Sequence, residues 1–223
     1  MSQQTVSRYD PHADWYVEHT GAWDSAAADV LPSDLAGQRI LDQACGWGQL
    51  SRILAERGAR VSGVDLSENL VGHARELEAA APLGIEYLVG DATTTSWWDG
   101  EPYDQVVCNM ALMDIDDLPG ALSAAAAVVA PGGLFTLTVF HPCFPGRADD
   151  PDTLPSWPPD RGYAAEGWWT TGRSGVRGHV GANHRMLSTY LNAVLAAGFE
   201  LVAVGEEAGE LPRIFWARGR RRG

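Results

Sequence analysis

One stretch limits what this chain can fold into more than any other: residues 38–67, QRILDQACGWGQLSRILAERGARVSGVDLS. An apolar run ends in an acid, Asp42, and a glycine turn containing Gly46 and Gly48 follows. Apolar residues then recur at helical spacing until Gly58. A second β-rich run, RVSGVD, ends in Asp65. A strand, a glycine turn, a helix and a second strand in this order predict a parallel βαβ unit. Its turn presents backbone amides to a ligand at a helix N-terminus. An acid about twenty residues past the turn is positioned to accept two ribose hydroxyls.

The same rhythm continues. SENLVGHARELEAA opens on Ser67, an N-cap residue, and predicts a helix. IEYLVGD and YDQVVCNM predict a third and a fourth strand. DDLPGALSAAAAVVAPGG predicts a helix closed by a Pro-Gly-Gly turn, and LFTLTVF a fifth strand. DWYVEHTGAWDSAAADVLP near the N-terminus looks helical, NHRMLSTYLNAVLAAGF predicts an amphipathic helix, and ELVAVGE and PRIFWARG predict the last strands. Alternation of this kind means a parallel sheet covered on both faces, with ligands at the C-terminal strand ends. Asp42, Asp65, Asp91, Asn109 and His141 all fall at or just past such ends. Four regions follow: an N-terminal helical lid (1–36), a core (37–141), a cap (142–182) and a C-terminal helix with a strand pair completing the domain (183–219). The cap is rich in Pro and Gly yet carries Trp157, Tyr163, Trp168 and Trp169, so it is expected to be ordered and functional.

Composition removes several alternatives. The net charge is −13, which repels nucleic acid; the terminal RGRRRG is expected to be a solvated tail. Every basic residue is arginine. Without lysine there is no phosphate-loop lysine, no pyridoxal phosphate Schiff base and no Tyr/Lys dehydrogenase pair. Cys45, Cys108 and Cys143 form neither a disulfide framework nor a zinc ribbon. With no signal-peptide core and no membrane-length apolar run, the expectation is a cytoplasmic protein, monomeric or homodimeric.

The turn alone leaves both NAD and S-adenosylmethionine open, since both carry adenosine. Further residues favour the second. ILDQACGWG resembles the first motif of class I S-adenosylmethionine-dependent methyltransferases, D-x-G-x-G-x-G, with Asp42, Gly46 and Gly48 matching and Ala44 replacing a glycine. A non-glycine residue there must avoid a positive φ or be strained. GVDLS resembles the next motif, VGDAT the third, YDQVVCNMALMDI the fourth and VVAPGGLFTLTV the fifth, over roughly residues 38–140. The small-molecule members, loosely of the quinone-biosynthesis type, are similar also in HPCF after the fifth strand. The resemblance implies a Rossmann-like, seven-stranded, mostly parallel sheet in a three-layer α/β/α sandwich, with an antiparallel last strand. It implies a cofactor site of Tyr16, Asp42, Ala44, Gly46, Gly48, Asp65, Leu66, Asp91, Ala92 and Asn109. Asp65 would hold the ribose, and Asp91 and the Ala92 amide the adenine. The Asn109 carbonyl would hold the amine. No metal is expected.

Methyl transfer needs alignment and, for some acceptors, a base. His141 is the first candidate base and His184, expected to open the late helix, the second. Trp15, Met110, Met113, Trp168 and Trp169 are candidate substrate contacts, and the aromatic N-terminal segment is expected to lie over the sulfonium. NMAL stands where methyltransferases of nucleobase or glutamine amides resemble N/D-P-P-Y. The expected acceptor is therefore a small molecule, the hydroxyl or amine of a partly aromatic metabolite. An NAD-dependent oxidoreductase and a non-catalytic S-adenosylmethionine-binding protein are the alternatives.

Overall fold

The structure is a computed structural model, and it describes residues 6–21, 25–144, 162–170 and 175–223. The chain begins with α1 (Ala13–Thr20), followed by β1 (Arg39–Gln43), α2 (Gln49–Glu56), β2 (Arg60–Asp65), α3 (Glu68–Ala80) and β3 (Glu86–Val89). It continues with β4 (Tyr103–Asn109), α4 (Leu118–Val128), β5 (Val129–Phe140), β6 (Gly167–Trp169), α5 (Val176–His179) and β7 (Ala182–His184). It closes with α6 (Leu187–Ala196), β8 (Phe199–Glu206) and β9 (Ile214–Arg221).

The main sheet has seven strands in the order β3-β2-β1-β4-β5-β9-β8. β1 to β5 run parallel, and β9 runs antiparallel to both β5 and β8. The last strand of the chain thus slots in one place from the edge. The Rossmann-like architecture and its antiparallel last strand are as the sequence implied. The chain winds outward from β1 to β3, then returns to place β4 on the other side of β1. Side-by-side strands whose crossovers leave in opposite directions open a crevice at their C-terminal ends, and ligands bind there.

Burial follows the periodicity. Leu50 and Leu54 of α2, with Val71 and Ala74 of α3, cover one face of the sheet together with Leu31 and Leu35. On the other face Leu118, Ala121, Leu122, Ala125 and Val128 of α4, with Tyr190 and Val194 of α6, pack on Val106, Phe135 and Leu137. Ser67 caps α3 as expected, and Asp117 caps α4. Ser67 Oγ accepts from the Leu70 amide at 3.1 Å, and the Asp117 side chain accepts from Gly120 at 2.9 Å.

Three expectations change. The N-terminal helix is shorter, ending at Thr20, whose hydroxyl donates to the Tyr16 carbonyl at 2.7 Å; a 3-10 turn at Ala28–Val30 follows later. α4 ends at Val128, and Pro131-Gly132-Gly133 lies inside β5, where the pairing with β4 shifts register. The helix expected from 183 starts at Leu187, because Asn183 and His184 belong to β7, which pairs with β6 in a separate ribbon. The cause is tertiary. The Asn183 amide donates to the Met113 carbonyl at 2.7 Å, and the buried Arg185 guanidinium donates to the carbonyls of Leu112, Ile115 and Asp116. Those bonds hold the segment extended against the loop after β4. No helix among the described residues is long and apolar enough to cross a membrane.

Candidate active site

A single cavity of about 1220 Å³ runs along the C-terminal edge of the sheet, from β2 to the turn between β8 and β9. At its β1–β2 end the glycine turn is wound through three left-handed positions: Ala44 at φ 59°, Gly46 at 56° and Gly48 at 85°. Ala44 carries the strain foreseen for a non-glycine residue there. The Cys45 amide donates to the Val64 carbonyl at 3.0 Å and the Gly48 amide to Cys45 at 3.0 Å, which fixes the turn. A Cβ on Gly46 would meet nothing within 4 Å, so the cavity comes right up to the backbone. A Cβ on Gly48 would stand 2.3 Å from the Tyr87 hydroxyl, so Gly48 fits against β3 and does not line the cavity.

A buried acid, Asp42, and a half-buried one, Asp65, face this end. Asp65 accepts from the Gly46 amide (Oδ2, 2.8 Å) and the Ser67 amide (Oδ1, 2.8 Å), which leaves each oxygen with a free lone pair. Burial pushes its carboxyl up to about 6 against those two bonds. Asp42 accepts from the Ser51 hydroxyl at 2.6 Å, and burial pushes it up to about 7. Both carboxyls would gain from a ligand that supplies a positive charge or hydroxyl donors. Asp91 turns its Oδ1 onto the Thr93 amide (2.8 Å) and hydroxyl (2.7 Å), which stiffens the loop that carries Ala92. Leu66, Ala92, Asn109 and Tyr16 also line the cavity. These features fit S-adenosylmethionine: an open glycine turn, a carboxylate with two free acceptor sites and a second acid across the turn. Gln43, unnoticed in the sequence, supports them from beneath, donating to the carbonyls of Ala92 (2.8 Å) and Ala121 (3.0 Å).

The other end is built from the loop after β4, the N-terminal segment and α5. Met110 lines it in a left-handed conformation, φ 54°, held by bonds from its amide to the Thr138 carbonyl and hydroxyl. The Tyr9 hydroxyl donates to Asp114 Oδ2 at 3.0 Å, and Arg177 Nη1 donates to Asp114 Oδ1. Tyr9 and Tyr16 meet edge to face, ring centres 4.8 Å apart. Phe140, Ile214 and Trp216 add apolar wall, and Glu206 a carboxylate.

Several candidate residues lie elsewhere. His141 is 2% exposed and sits in the corner after β5. Its Nδ1 accepts from the Cys143 amide (3.1 Å), and its Nε2 faces Glu206 Oε1 (2.9 Å), so Nε2 carries the proton; the ring does not itself line the cavity and meets it through Glu206, which does. His184 is on a strand, not at a helix start, with Nε2 against the Tyr163 carbonyl at 2.7 Å. All six histidines of the chain are among the described residues, and none lines the cavity. His141, the first candidate base, therefore reaches the cavity only through Glu206, and His184 is held on the Tyr163 carbonyl. Met113 is core, 4% exposed. Trp15 is on the outside of α1, against His179 (4.3 Å) and His19 (4.7 Å). Trp168 packs over Gly181, where a Cβ would meet its ring at 2.5 Å, and Trp169 pairs with Ala182; neither lines the cavity. Trp157 lies outside the described residues. Asp114 and Arg177 escaped the sequence reading because neither sits in a recognisable motif. Among the described residues no cluster of His, Cys, Asp or Glu is arranged to hold a metal ion.

A switch-point crevice, a left-handed glycine turn and a ribose-ready acid define an α/β domain that binds an adenosyl cofactor. Residues 40–133 match the family model of a methyltransferase domain. Over 99 residues the chain is 36% identical to a ubiquinone biosynthesis O-methyltransferase of an Azoarcus species, covering 44% of this chain and 42% of the relative. It is 33% identical over 138 residues to a malonyl-[acyl-carrier protein] O-methyltransferase of Salmonella typhimurium, covering 60% and 50%. The chain therefore spans half or less of the length of these two relatives. A crystal structure of an S-adenosylmethionine-dependent methyltransferase from Mesorhizobium loti superposes with a TM-score of 0.70 at 28% identity, covering 95% of this chain and 99% of that one. Over residues 40–133 the chain is thus similar to a methyltransferase domain, and over nearly its whole length it shares the fold of that S-adenosylmethionine-dependent methyltransferase. That similarity favours the methyltransferases over the oxidoreductase alternative.

Proposed function

We propose that the protein transfers the methyl group of S-adenosylmethionine to an oxygen or nitrogen of a small, partly aromatic molecule. One observation carries this reading: a single cavity joins the glycine turn and Asp65 to a second chamber walled by Met110, Phe140 and Trp216. At about 1220 Å³ it exceeds the roughly 300–1,000 Å³ of a one-ligand pocket, so cofactor and acceptor fit side by side. The bound cofactor supplies an electrophilic methyl group on a sulfonium. The chain's residues bind and align. Asp65 takes the ribose hydroxyls, Asp42 and the Asn109 carbonyl the methionine amine, Asp91 and Ala92 the adenine, and Tyr16 offers an aromatic face to the sulfonium. Residues 1–36 act as a lid and 142–182 as a cap that keeps water from the acceptor. The two curated relatives act on oxygen by name, which favours a hydroxyl over an amine.

The test is a thermal shift with S-adenosylhomocysteine beside NAD. At about a hundred times its dissociation constant a ligand adds roughly 2.7 kcal/mol, and for a chain of this size each kcal/mol moves Tm by about 2–4 °C. A rise of several degrees is expected with S-adenosylhomocysteine alone, and Asp65→Ala should abolish it. No rise in the wild type, or a rise that survives Asp65→Ala, would refute the reading.

A further inference from the structure

The acceptor chamber contains a cation whose surroundings are unusual. Arg177, on α5, lines the cavity yet is only 3% exposed. Its Nη1 is occupied, donating to Asp114 Oδ1 and, at 2.8 Å, to the Gly181 carbonyl. The Phe140 ring lies 5.5 Å from the guanidinium carbon. Among the described residues Nε is buried with no hydrogen-bond partner, and none of them bonds Nη2 either. A guanidinium has donors only, so whatever satisfies the open Nη2 must be a hydrogen-bond acceptor. An unmet charged donor in a buried position is costly, and a ligand oxygen relieves that cost.

The neighbours hold this group still and leave it free to bind. Asp114 uses one oxygen on Arg177 and the other on the Tyr9 hydroxyl. Burial and the Asp114 charge push the Tyr9 phenol well above its usual range, so Tyr9 stays a donor to Asp114. The triad joins the N-terminal segment, the loop after β4 and α5 at one point beside Met110. Arg8 is already engaged, its Nη2 donating to both oxygens of Asp116 at 2.8 and 2.6 Å, and Arg213, which also lines the cavity, is engaged on Glu207. Among the described residues Arg177 is therefore the cation beside Met110 with a donor left for a ligand.

We infer that Arg177 is the specificity-determining residue of the acceptor site, and that the acceptor presents an ionised or readily ionised oxygen, a carboxylate or an acidic phenol, to its open Nη2. This rests on the methyl-transfer reading above and narrows its acceptor to an oxygen acid. An oxygen already ionised has no proton to lose, which agrees with a cavity that no histidine lines. An ammonium at the same place would meet a second cation.

The test titrates the protein, saturated with S-adenosylhomocysteine, with benzoate, benzyl alcohol and benzylamine by calorimetry. Benzoate should bind at least tenfold tighter than benzyl alcohol, with benzylamine weakest. Arg177→Met alone would leave the half-buried Asp114 carboxylate without its cation, with only the Tyr9 hydroxyl on it, so the variant used is Arg177→Met/Asp114→Asn. It should bind S-adenosylhomocysteine as the wild type does and lose the preference for benzoate. Arg177→Lys, which keeps the charge on a different stem, should retain part of it. Benzylamine binding as tightly as benzoate, no benzoate binding at about 10 mM, or an unchanged preference in the double variant would each overturn the inference. Failure of S-adenosylhomocysteine to bind the wild type would instead overturn the methyl-transfer reading itself.

Discussion

At the level of single residues, the glycine turn shows two kinds of constraint. Gly46 is open to the cavity, and its left-handed φ of 56° is what requires glycine. Gly48 is limited twice, by a φ of 85° and by Tyr87, whose ring carbon Cζ would stand 2.7 Å from an added Cβ. Gly48→Ala is therefore expected to lower stability by about 1–3 kcal/mol and to weaken S-adenosylhomocysteine binding as the turn tilts. Urea unfolding and a binding titration check both parts. Wild-type values for the alanine variant would mean that the turn is not held against β3 as described. The neighbouring Ala44 shows that one strained position is tolerated where the next is not: it has a similar φ, 59°, and packs at the margin of the core beneath the sheet edge.

At the level of elements, Asn109 ties three pieces together. Its Oδ1 accepts from the Ala27 amide at 3.0 Å and from the Thr138 hydroxyl at 2.7 Å, linking the N-terminal segment to the ends of β4 and β5. Asn109→Ala strips both donors of their partner, a cost of about 1–3 kcal/mol if they stay buried. Amide exchange at Ala27 should accelerate while exchange along β1 stays as in the wild type. Equal protection at Ala27 in both proteins would show that the segment is held by something else. The sequence placed Asn109 at this strand end and assigned its backbone carbonyl to the cofactor; its side chain, as it turns out, works on the protein.

For the whole molecule, the two raised acids couple folding and binding to pH. Asp42 at about 7 and Asp65 at about 6 stand above the ordinary 3.8 of an aspartate in the unfolded chain. Between those values the folded protein holds protons that the unfolded chain has released. The stability these groups contribute is thus complete below about pH 4 and is lost as pH rises through 6 to 7. Ligand binding should run the other way, because an amine beside Asp42 and hydroxyls on Asp65 favour the ionised forms. The ligand-free protein is expected to lose Tm between pH 5 and 8 relative to Asp42→Asn, while its affinity for S-adenosylhomocysteine rises over the same range and that of Asp42→Asn rises less. Parallel pH profiles for wild type and variant would remove Asp42 from this linkage.

What the sequence determined by itself is whatever neighbours along the chain control. Hydrophobic period and glycine positions set the strands, the crossover helices and the left-handed turn. Each of Asp42, Asp65, Asp91 and Asn109 then falls at a strand end, because a strand's end is a local property. The side of the sheet or loop that a residue faces after its strand is not local. His141 follows β5, yet with its amide paired to the Arg213 carbonyl its ring bonds Glu206, and it is Glu206, not the imidazole, that lines the cavity. Asn183 and His184 read as the start of a helix, but bonds to the loop after β4 keep them extended. Asp114 and Arg177 are far apart in sequence with no motif around either, and they meet only because α5 folds back onto that loop beneath Tyr9. The cofactor end could be read because one continuous βαβ unit builds it. The acceptor end depended on the tertiary structure, because three distant segments must converge to form it.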